Sequence, residues 1–129
     1  MKNNLSYKNL LKSKKFILIG GPCVIETEEI SLEVAKEIKN ISSELNMIYI
    51  FKSSYDKGNR TAVENYRGPG LIRGLKILEK VKEKLNVPVL TDAQCQSEVD
   101  EVSRIADIIQ IPAYLCQQTQ LTLKVAETG

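Results

Sequence analysis

The sequence contains no histidine, few aromatic residues and no strong excess of either charge. Aromatic residues make up 5% of the chain and are not interleaved with the basic ones, so no surface for stacking nucleic-acid bases is indicated. The 18 basic and 16 acidic residues leave a formal net charge of +2, whereas a generic nucleic-acid binder is more basic and carries its charge in clusters. The sequence therefore argues against nucleic acid as a partner of this chain.

The three cysteines, Cys23, Cys95 and Cys116, are widely spaced and form no Cys-x-x-Cys pair. This spacing indicates neither a zinc knuckle nor a disulfide framework, and free thiols fit the reducing cytoplasm. No apolar run approaches the ~20 residues that a membrane-spanning helix needs. Residues 1–15 are rich in Lys and Asn and lack the apolar core of a secretory signal, so we predict a polar leader with a short helix at residues 7–11.

The rest of the chain, residues 16–129, has the pattern of one small α/β domain. The 129 residues, 43% of them hydrophobic and 26% charged, are enough to bury a core. Runs that are apolar throughout suit strands buried on both faces, and they alternate four times with amphipathic helix patterns. Helices between successive strands imply a parallel sheet with right-handed crossovers. The predicted strands cover residues 16–19, 47–51, 87–90 and 108–111.

Capping residues mark the ends of the predicted helices. Thr27 is a suitable N-cap for the first helix, whose apolar residues recur at spacings of three and four. The second helix ends near Asn86, and Ser97 is suited to cap the third. The final helix stops at Gly129. The apolar faces of the first two helices are expected to consist of Ile30, Val34, Ile38, Ile41 and Leu45, and of Leu71, Leu75, Leu78, Val81 and Leu85.

Polar residues follow the end of each predicted strand. Cys23 and Glu26 follow the first strand, a cationic loop follows the second, and Asp92 and Gln110 stand at the third and fourth. Side chains in such positions gather at the C-terminal edge of a parallel sheet, where α/β proteins place their sites. Neither GxGxxG nor a Walker phosphate loop is present, so a dinucleotide fold is not favoured. Because a (β/α)8 barrel needs eight strands and ~250 residues, we predict the first half of a TIM barrel.

The loop after the second strand, residues 51–61, is termed the cationic loop. Its sequence is Phe-Lys-Ser-Ser-Tyr-Asp-Lys-Gly-Asn-Arg-Thr. Lysine supplies compact positive charge, arginine supplies a planar fork of donors, and glycine lets the backbone approach a ligand. These features suit a phosphorylated or carboxylated ligand. Composition alone is equally compatible with a solvated surface loop, so both interpretations stay open at this level.

Four segments, in this order, resemble the 3-deoxy-D-manno-octulosonate 8-phosphate synthases. They are Gly-Gly-Pro-Cys-Val-Ile-Glu at 20–26, the cationic loop, Thr-Asp at 91–92 and Asp-Ile-Ile-Gln-Ile-Pro-Ala-Tyr-Leu-Cys at 107–116. The resemblance extends over residues 16–129 and covers about the first half of the family's barrel. It implies a condensation of phosphoenolpyruvate with D-arabinose 5-phosphate and water. The products would be the eight-carbon sugar acid phosphate, a precursor for lipopolysaccharide biosynthesis, and inorganic phosphate.

The resemblance also sets the alternatives. Members of that family form homotetramers and need no organic cofactor. The expected partners are therefore small-molecule substrates, and neither nucleic acid nor a membrane is expected. The 3-deoxy-arabino-heptulosonate 7-phosphate synthases are the alternative within enzymes, although Asp-Lys-Gly-Asn-Arg-Thr and Gln-Ile-Pro-Ala-Tyr-Leu-Cys favour the eight-carbon reaction. A different class is a truncated, catalytically silent remnant that binds phosphate or a partner half-barrel. A generic βα phosphate-binding module is the third interpretation.

The resemblance assigns roles to matching positions. Lys57 and Asp92 receive catalytic roles, with Asp92 near the reacting sugar. Without the resemblance, Asp92 could be a helix N-cap and Gln110 an ordinary strand-end residue, and a lysine is usually a solvated charge. The implied phosphoenolpyruvate-binding residues are Lys52, Ser53, Ser54, Lys57 and Gln110, and the implied sugar-phosphate-binding residues are Asn59, Arg60 and Thr61.

Cys23 matches the position that distinguishes metal-dependent members, which have Cys, from metal-independent members, which have Asn. The resemblance therefore implies that Cys23 binds a divalent metal such as zinc or iron, ions suited to a soft thiolate. The alternative is a small buried cysteine, the usual fate of a lone Cys. The family's His, Glu and Asp ligands would lie beyond Gly129, and this chain has no histidine. We therefore expect no turnover from this chain alone.

Three residues depart from the family's pattern. Gln94 stands where His is usual, Gln117 where Arg is usual, and Cys95 where Glu is frequent. The family's Arg is expected to help bind a substrate phosphate. Replacing such a charged fork with a neutral amide should weaken phosphate binding by ~1.5–3 kcal/mol. These departures motivate the remnant interpretation, while the synthase stays the leading one.

Overall fold

The computed structural model describes residue 10 and residues 12–129. The predicted leader helix falls mainly on residues 7–9 and 11, outside the described part. Short 3-10 turns at Gln96–Glu98 and Ala113–Leu115 precede the last two helices. The strands and α-helices, in chain order, are β1 (Ile17–Gly20), α1 (Glu28–Glu44), β2 (Ile48–Lys52), α2 (Leu71–Leu85), β3 (Val89–Asp92), α3 (Val99–Ile105), β4 (Ile108–Gln110) and α4 (Thr119–Ala126).

The four described strands form one sheet in the order β1-β2-β3-β4, and every neighbouring pair is parallel. This confirms the predicted topology, although three strands begin one or two residues later than expected. A helix covers each connection, so apolar side chains can be buried on both faces of the sheet. The architecture is that of the first βα units of a (β/α)8 barrel, as predicted.

Helix α1 begins as predicted, because Thr27 Oγ1 accepts a hydrogen bond of 3.2 Å from the backbone N–H of Ile30. Its predicted apolar face is wrong in part, since Ile41 is 51% and Leu45 60% exposed. The residues it buries are Ser31, Ala35 and Ser42. The Ser31 and Ser42 hydroxyls donate to the carbonyls of Thr27 and Ile38, at 2.8 and 2.6 Å. Because those bonds satisfy the hydroxyls locally, small serines can face the interior.

Helix α2 ends as predicted at Asn86, which adopts the left-handed conformation with φ 49°. The prediction that Ser97 caps the third helix is wrong. Ser97 lies inside the 3-10 turn, and its Oγ is 3.1 Å from Cys95 Sγ. The side chain that bonds to the backbone of this turn is Glu98, whose Oε2 accepts a 3.2 Å hydrogen bond from the backbone N–H of Gln94.

The core lies between the sheet and the helices α1, α2 and α3. Its largest buried side chains come from the segment after β1, from β2 and the loop that follows it, and from α2; they are Tyr55, Phe51, Ile25, Ile50, Leu78 and Val81. Burying this loop's Tyr55 anchors the start of the cationic loop to the core.

Within the described residues, none of the helices has the length and apolar character needed to cross a bilayer.

Candidate anion-binding site

The candidate site lies where β2 and β3 end. Lys52 is the last residue of β2 and Asp92 the last residue of β3. An isolated parallel bridge between Val24 and Ser54 continues the sheet beyond β1 and β2. The backbone of Gly21 approaches the Lys52 carbonyl so closely that an added Cβ would overlap it. This close approach brings the loop after β1 against the first residues of the cationic loop.

Asp92 is the centre of a buried hydrogen-bond cluster and is 4% exposed. Its Oδ1 accepts a hydrogen bond from Ser54 Oγ, and its Oδ2 accepts one from the Gln94 side-chain amide. Lys52 Nζ donates to Ser54 Oγ at 2.9 Å and lies 3.8 Å from Asp92 Oδ1. Because Asp92 ends a strand and its carboxylate faces these side chains, the alternative that it caps a helix is wrong.

Lys52 carries a charge in a poorly hydrated place, with a side chain that is 18% exposed. Burial lowers the pKa of Lys52, the charge of nearby Lys57 lowers it further, and Asp92 and Cys23 oppose the change. A bound anion would favour the charged form of Lys52. The electrostatics of the site therefore suit a ligand that carries negative charge.

Ser53 and Ser54, both predicted ligand contacts, are fully buried. Ser53 Oγ donates to the Pro22 carbonyl at 2.7 Å, and the Ser53 carbonyl accepts from Thr91 Oγ1 at 2.8 Å. With Ser54 donating to Asp92, both hydroxyl protons are used within the protein. These bonds tie three strand-end loops together and orient Lys52. Direct contact of either serine with a ligand stays a prediction.

The outer part of the cationic loop forms a separate cleft of about 220 Å³, whose lining includes Lys57, Arg60, Thr61 and Arg67. Arg60 Nε donates to the Tyr66 carbonyl at 2.9 Å. Arg67 forms a bidentate pair with Asp56 at 2.9 and 2.8 Å. Three cations thus line one small cleft, and a single carboxylate pairs with one of them.

Two of the predicted site residues, Gln110 and Asn59, are exposed and lie outside the two groups of side chains described above. Gln110 is exposed at the end of β4, where it is the register partner of Asp92, and its carbonyl accepts from the Ala93 N–H at 3.2 Å. Asn59 is exposed on the cationic loop and is not part of the cleft lining. The sequence interpretation missed Arg67, whose sole signal was its place just before the turn at residues 68–70.

Cys23 is exposed, as are the other two cysteines, so the alternative of a small buried cysteine is wrong. The Cys23 carbonyl accepts a hydrogen bond of 3.4 Å from the Ser54 N–H, which places this residue beside the cluster around Asp92. Among the residues that the structure describes, however, no three His, Cys, Asp or Glu side chains come together as a metal site would require. The described residues therefore do not form a metal site by themselves.

Comparison with known proteins identifies the family. The sequence model of the DAHP synthetase I family matches residues 11–129. A 2-dehydro-3-deoxyphosphooctonate aldolase of Fusobacterium nucleatum is 54% identical over 116 residues, which are 90% of this chain and 42% of that protein. The Pisum sativum protein of the same name is 51% identical over 125 residues, which are 97% of this chain and 43% of the relative.

A third relative, 2-dehydro-3-deoxyphosphooctonate aldolase 1 of Arabidopsis thaliana, is 49% identical over 126 residues, or 98% of this chain and 43% of that protein. The chain thus spans about two fifths of the length of the curated relatives it matches. The family match extends over nearly the whole chain and includes every strand-end residue described above. This chain belongs to the DAHP synthetase I family.

Proposed function

We propose that this chain supplies the phosphoenolpyruvate and sugar-phosphate contacts of a 3-deoxy-D-manno-octulosonate 8-phosphate synthase. The reaction condenses phosphoenolpyruvate with D-arabinose 5-phosphate and water and releases inorganic phosphate. The observation that carries the proposal is Lys52, which lies 3.8 Å from the buried carboxylate of Asp92 and whose pKa is lowered by burial and by nearby Lys57. The names of the relatives, which are 2-dehydro-3-deoxyphosphooctonate aldolases, support the same chemistry.

Lys52 and Lys57 suit phosphoenolpyruvate, because that molecule carries a carboxylate and a phosphate on neighbouring atoms. In the free protein the two ammonium groups repel each other, which contributes to the lowered pKa of Lys52. Binding an anion between them would relieve that repulsion. Lys52 Nζ donates one hydrogen bond of 2.9 Å to Ser54 Oγ, which holds the ammonium group in place and leaves two of its three N–H donors available. Gln110 would add an amide at the neighbouring strand end.

Asp92 is held in a fixed orientation by two donors, Ser54 and Gln94. A carboxylate has about four lone-pair positions, so its two oxygens can still accept further hydrogen bonds. We assign Asp92 the role of orienting a hydroxyl of the sugar or the reacting water. Lys57, nearer the outer cleft, would stabilise negative charge that develops during the reaction.

The outer cleft suits the phosphate of the sugar. Arg60 and Arg67 offer planar guanidinium groups that match a phosphate, and Thr61 adds a hydroxyl to the same lining. Asn59, which precedes Arg60 in the cationic loop, is proposed to contact the same phosphate. Phosphoenolpyruvate would then lie against the strand ends, and the phosphate of the sugar would lie in the outer cleft.

Cys23 is proposed as this chain's contribution to a divalent metal site. A metal ion bound there would act as a Lewis acid toward an oxygen of a substrate. The described residues do not complete such a site, so no step of the reaction is assigned to it. We also propose that the whole protein is a cytoplasmic homotetramer and that its product enters lipopolysaccharide synthesis; the three free thiols suit a reducing compartment.

One observation favours a second candidate, a catalytically silent remnant that binds phosphate. Gln94 and Gln117 stand where the enzyme family usually has a histidine and an arginine, and the described residues gather no metal ligands. Such a remnant would keep the anion-binding clefts and lose turnover. The heptulosonate 7-phosphate reaction is the alternative among enzymes, because the DAHP synthetase I family is named after that reaction.

The test is phosphate release from phosphoenolpyruvate in the presence of a divalent metal, with arabinose 5-phosphate or erythrose 4-phosphate as the second substrate. We expect no release from this chain alone, and release specific to arabinose 5-phosphate from the full-length protein that carries it. Release that requires erythrose 4-phosphate would favour the heptulosonate reaction. Binding of phosphoenolpyruvate without release by the full-length protein would favour the remnant.

A further inference from the structure

Gln94 connects three strand-end loops through one side-chain amide. Its Nε2 donates to the Asp92 carboxylate at the end of β3 and to the Asp56 carbonyl of the cationic loop, the latter at 3.1 Å. Its Oε1 accepts a hydrogen bond of 2.5 Å from the Tyr114 hydroxyl, which follows β4. Because the Asp92 carboxylate and the Asp56 carbonyl can only accept, the amide turns Nε2 toward them, and Oε1 is left to accept from Tyr114.

Tyr114 is suited to be that donor. Burial raises the pKa of its hydroxyl, and the negative charges of Asp92 and Asp56 raise it further, so the phenol stays protonated at ordinary pH values. As a donor to Oε1, Tyr114 anchors the end of the amide that is opposite to the end facing Asp92 and Asp56. The orientation of the buried carboxylate thus depends on a residue that lies 22 positions away in the sequence.

Gly58 leaves the space that this arrangement needs. A Cβ at position 58 would overlap the Tyr114 hydroxyl and would lie 3.2 Å from Gln94 Oε1. Any side chain there would therefore displace the tyrosine from Gln94. Gly58 directly follows Lys57 in the cationic loop, so the contact joins the loop after β4 to the proposed anion-binding lysine.

We propose that Tyr114 is a positioning residue which, through Gln94, fixes the Asp92 carboxylate and the part of the cationic loop that carries Lys57. This inference rests on the proposed function only where it concerns phosphoenolpyruvate. Tyr114 itself contributes no charge to the site. Its hydroxyl affects anion affinity because it anchors the Gln94 amide, which in turn holds the Asp56 backbone in place.

The test compares Tyr114→Phe with the native protein by amide hydrogen exchange. The Lys57 N–H donates to the Arg67 carbonyl at 2.7 Å and reports on the loop. We expect exchange at Lys57 to become about two- to tenfold faster, the range of a single net hydrogen bond. Phosphoenolpyruvate affinity, measured by calorimetry, should fall by a similar factor. Tyr49→Phe is the control, because it removes a hydroxyl that donates to the Gly20 carbonyl at 3.2 Å.

A second variant tests the same chain of contacts from the other side. Gly58→Ala should speed exchange at Lys57 as Tyr114→Phe does, because the new Cβ displaces the hydroxyl. In the Tyr114→Phe background the hydroxyl is absent, so Gly58→Ala should add little further change. Gln94→Leu should likewise abolish the effect of Tyr114→Phe. Such non-additivity is what a shared network produces.

The outcomes separate this inference from the proposed function. If the native protein does not bind phosphoenolpyruvate but Tyr114→Phe still speeds exchange at Lys57, the proposed ligand is wrong and the positioning role stands. If Tyr114→Phe changes exchange at Lys57 no more than Tyr49→Phe does, the positioning role is overturned. It is equally overturned if the effects of Gly58→Ala and Tyr114→Phe simply add.

Discussion

Replacing Asp92 with asparagine preserves the shape of the buried cluster while it removes the charge. The native carboxylate accepts from Ser54 on one oxygen and from Gln94 on the other, and it lies 3.8 Å from Lys52 Nζ. An amide has only one accepting oxygen. In the variant, either the Asn NH2 group faces the NH2 group of Gln94, or it faces Ser54 Oγ and the Ser54 hydroxyl proton loses its acceptor. Rotating the Gln94 amide would not solve this, because the Asp56 carbonyl would then lose its donor.

The magnitude follows from the one hydrogen bond that cannot be kept. Hydrogen bonds to charged groups contribute about 1.5–3 kcal/mol each, so Asp92→Asn should lower the free energy of unfolding by about that amount. The loss should be larger than for an average surface substitution because Asp92 is 4% exposed. Removing the carboxylate should also lower the pKa of Lys52 further, since Asp92 opposes the effect of burial there.

Urea denaturation of the native protein and the variant measures this change directly. The control is Asp100→Asn, which removes one partner of the solvent-exposed Lys124–Asp100 pair at 2.8 Å. Solvent screens that pair, so we expect little change in the control. If Asp92→Asn is no more destabilising than Asp100→Asn, the hydrogen-bond cluster drawn around Asp92 is wrong.

Three further predictions concern the surroundings of the site. Tyr55→Phe removes a 2.7 Å hydrogen bond to Glu98 Oε2 and should lower the free energy of unfolding by about 1.5–3 kcal/mol in urea denaturation; no loss would contradict that bond. Gly68→Ala should destabilise more than Gly70→Ala, because both have positive φ, 120° and 81°, but only at Gly68 would a Cβ overlap the Tyr55 carbonyl; equal thermal midpoints would argue against this contact. Phosphoenolpyruvate affinity should fall as pH rises through the lowered pKa of Lys52, because the cation is then lost; calorimetry at a series of pH values checks this, and a loss only above the ordinary lysine pKa of ~10.4 would contradict it.

Local sequence signals predicted the elements that depend on local physics. Thr27 caps α1 because its hydroxyl meets a backbone N–H three residues later, and Asn86 ends α2 because asparagine tolerates the left-handed conformation. The apolar runs identified all four strands, and the intervening helices fixed their parallel order. Each of these signals lies within a few residues of the feature that it predicts.

The parts that were missed depend on contacts between distant segments. The buried side of α1 could not be read from hydrophobicity, because Ser31 and Ser42 satisfy their hydroxyls on the helix backbone and then behave as small core residues. Ser97 has the side chain of a cap, yet Glu98 reaches back to the Gln94 N–H and takes part in the turn instead. A local rule cannot choose between two such candidates.

The candidate site shows the same division. Its lysines and Asp92 could be predicted because they follow strand ends, where parallel sheets gather functional side chains. The hydrogen-bond chain from Tyr114 through Gln94 to Asp92 could not, since it joins residues 20 and 2 positions apart across different loops. Arg67 was missed for a related reason, because its partner Asp56 lies 11 residues earlier.

The central claim is that Lys52 and Lys57 bind phosphoenolpyruvate at the ends of the strands. Calorimetric titration of phosphoenolpyruvate into the native protein, Lys52→Met and a charge-matched control, Lys36→Met on the exposed face of α1, tests it most directly. We predict saturable binding by the native protein and the control, and a loss of affinity of at least about tenfold in Lys52→Met, as expected for a charged hydrogen bond. Equal affinities in all three proteins, or no binding by any of them, would contradict the claim.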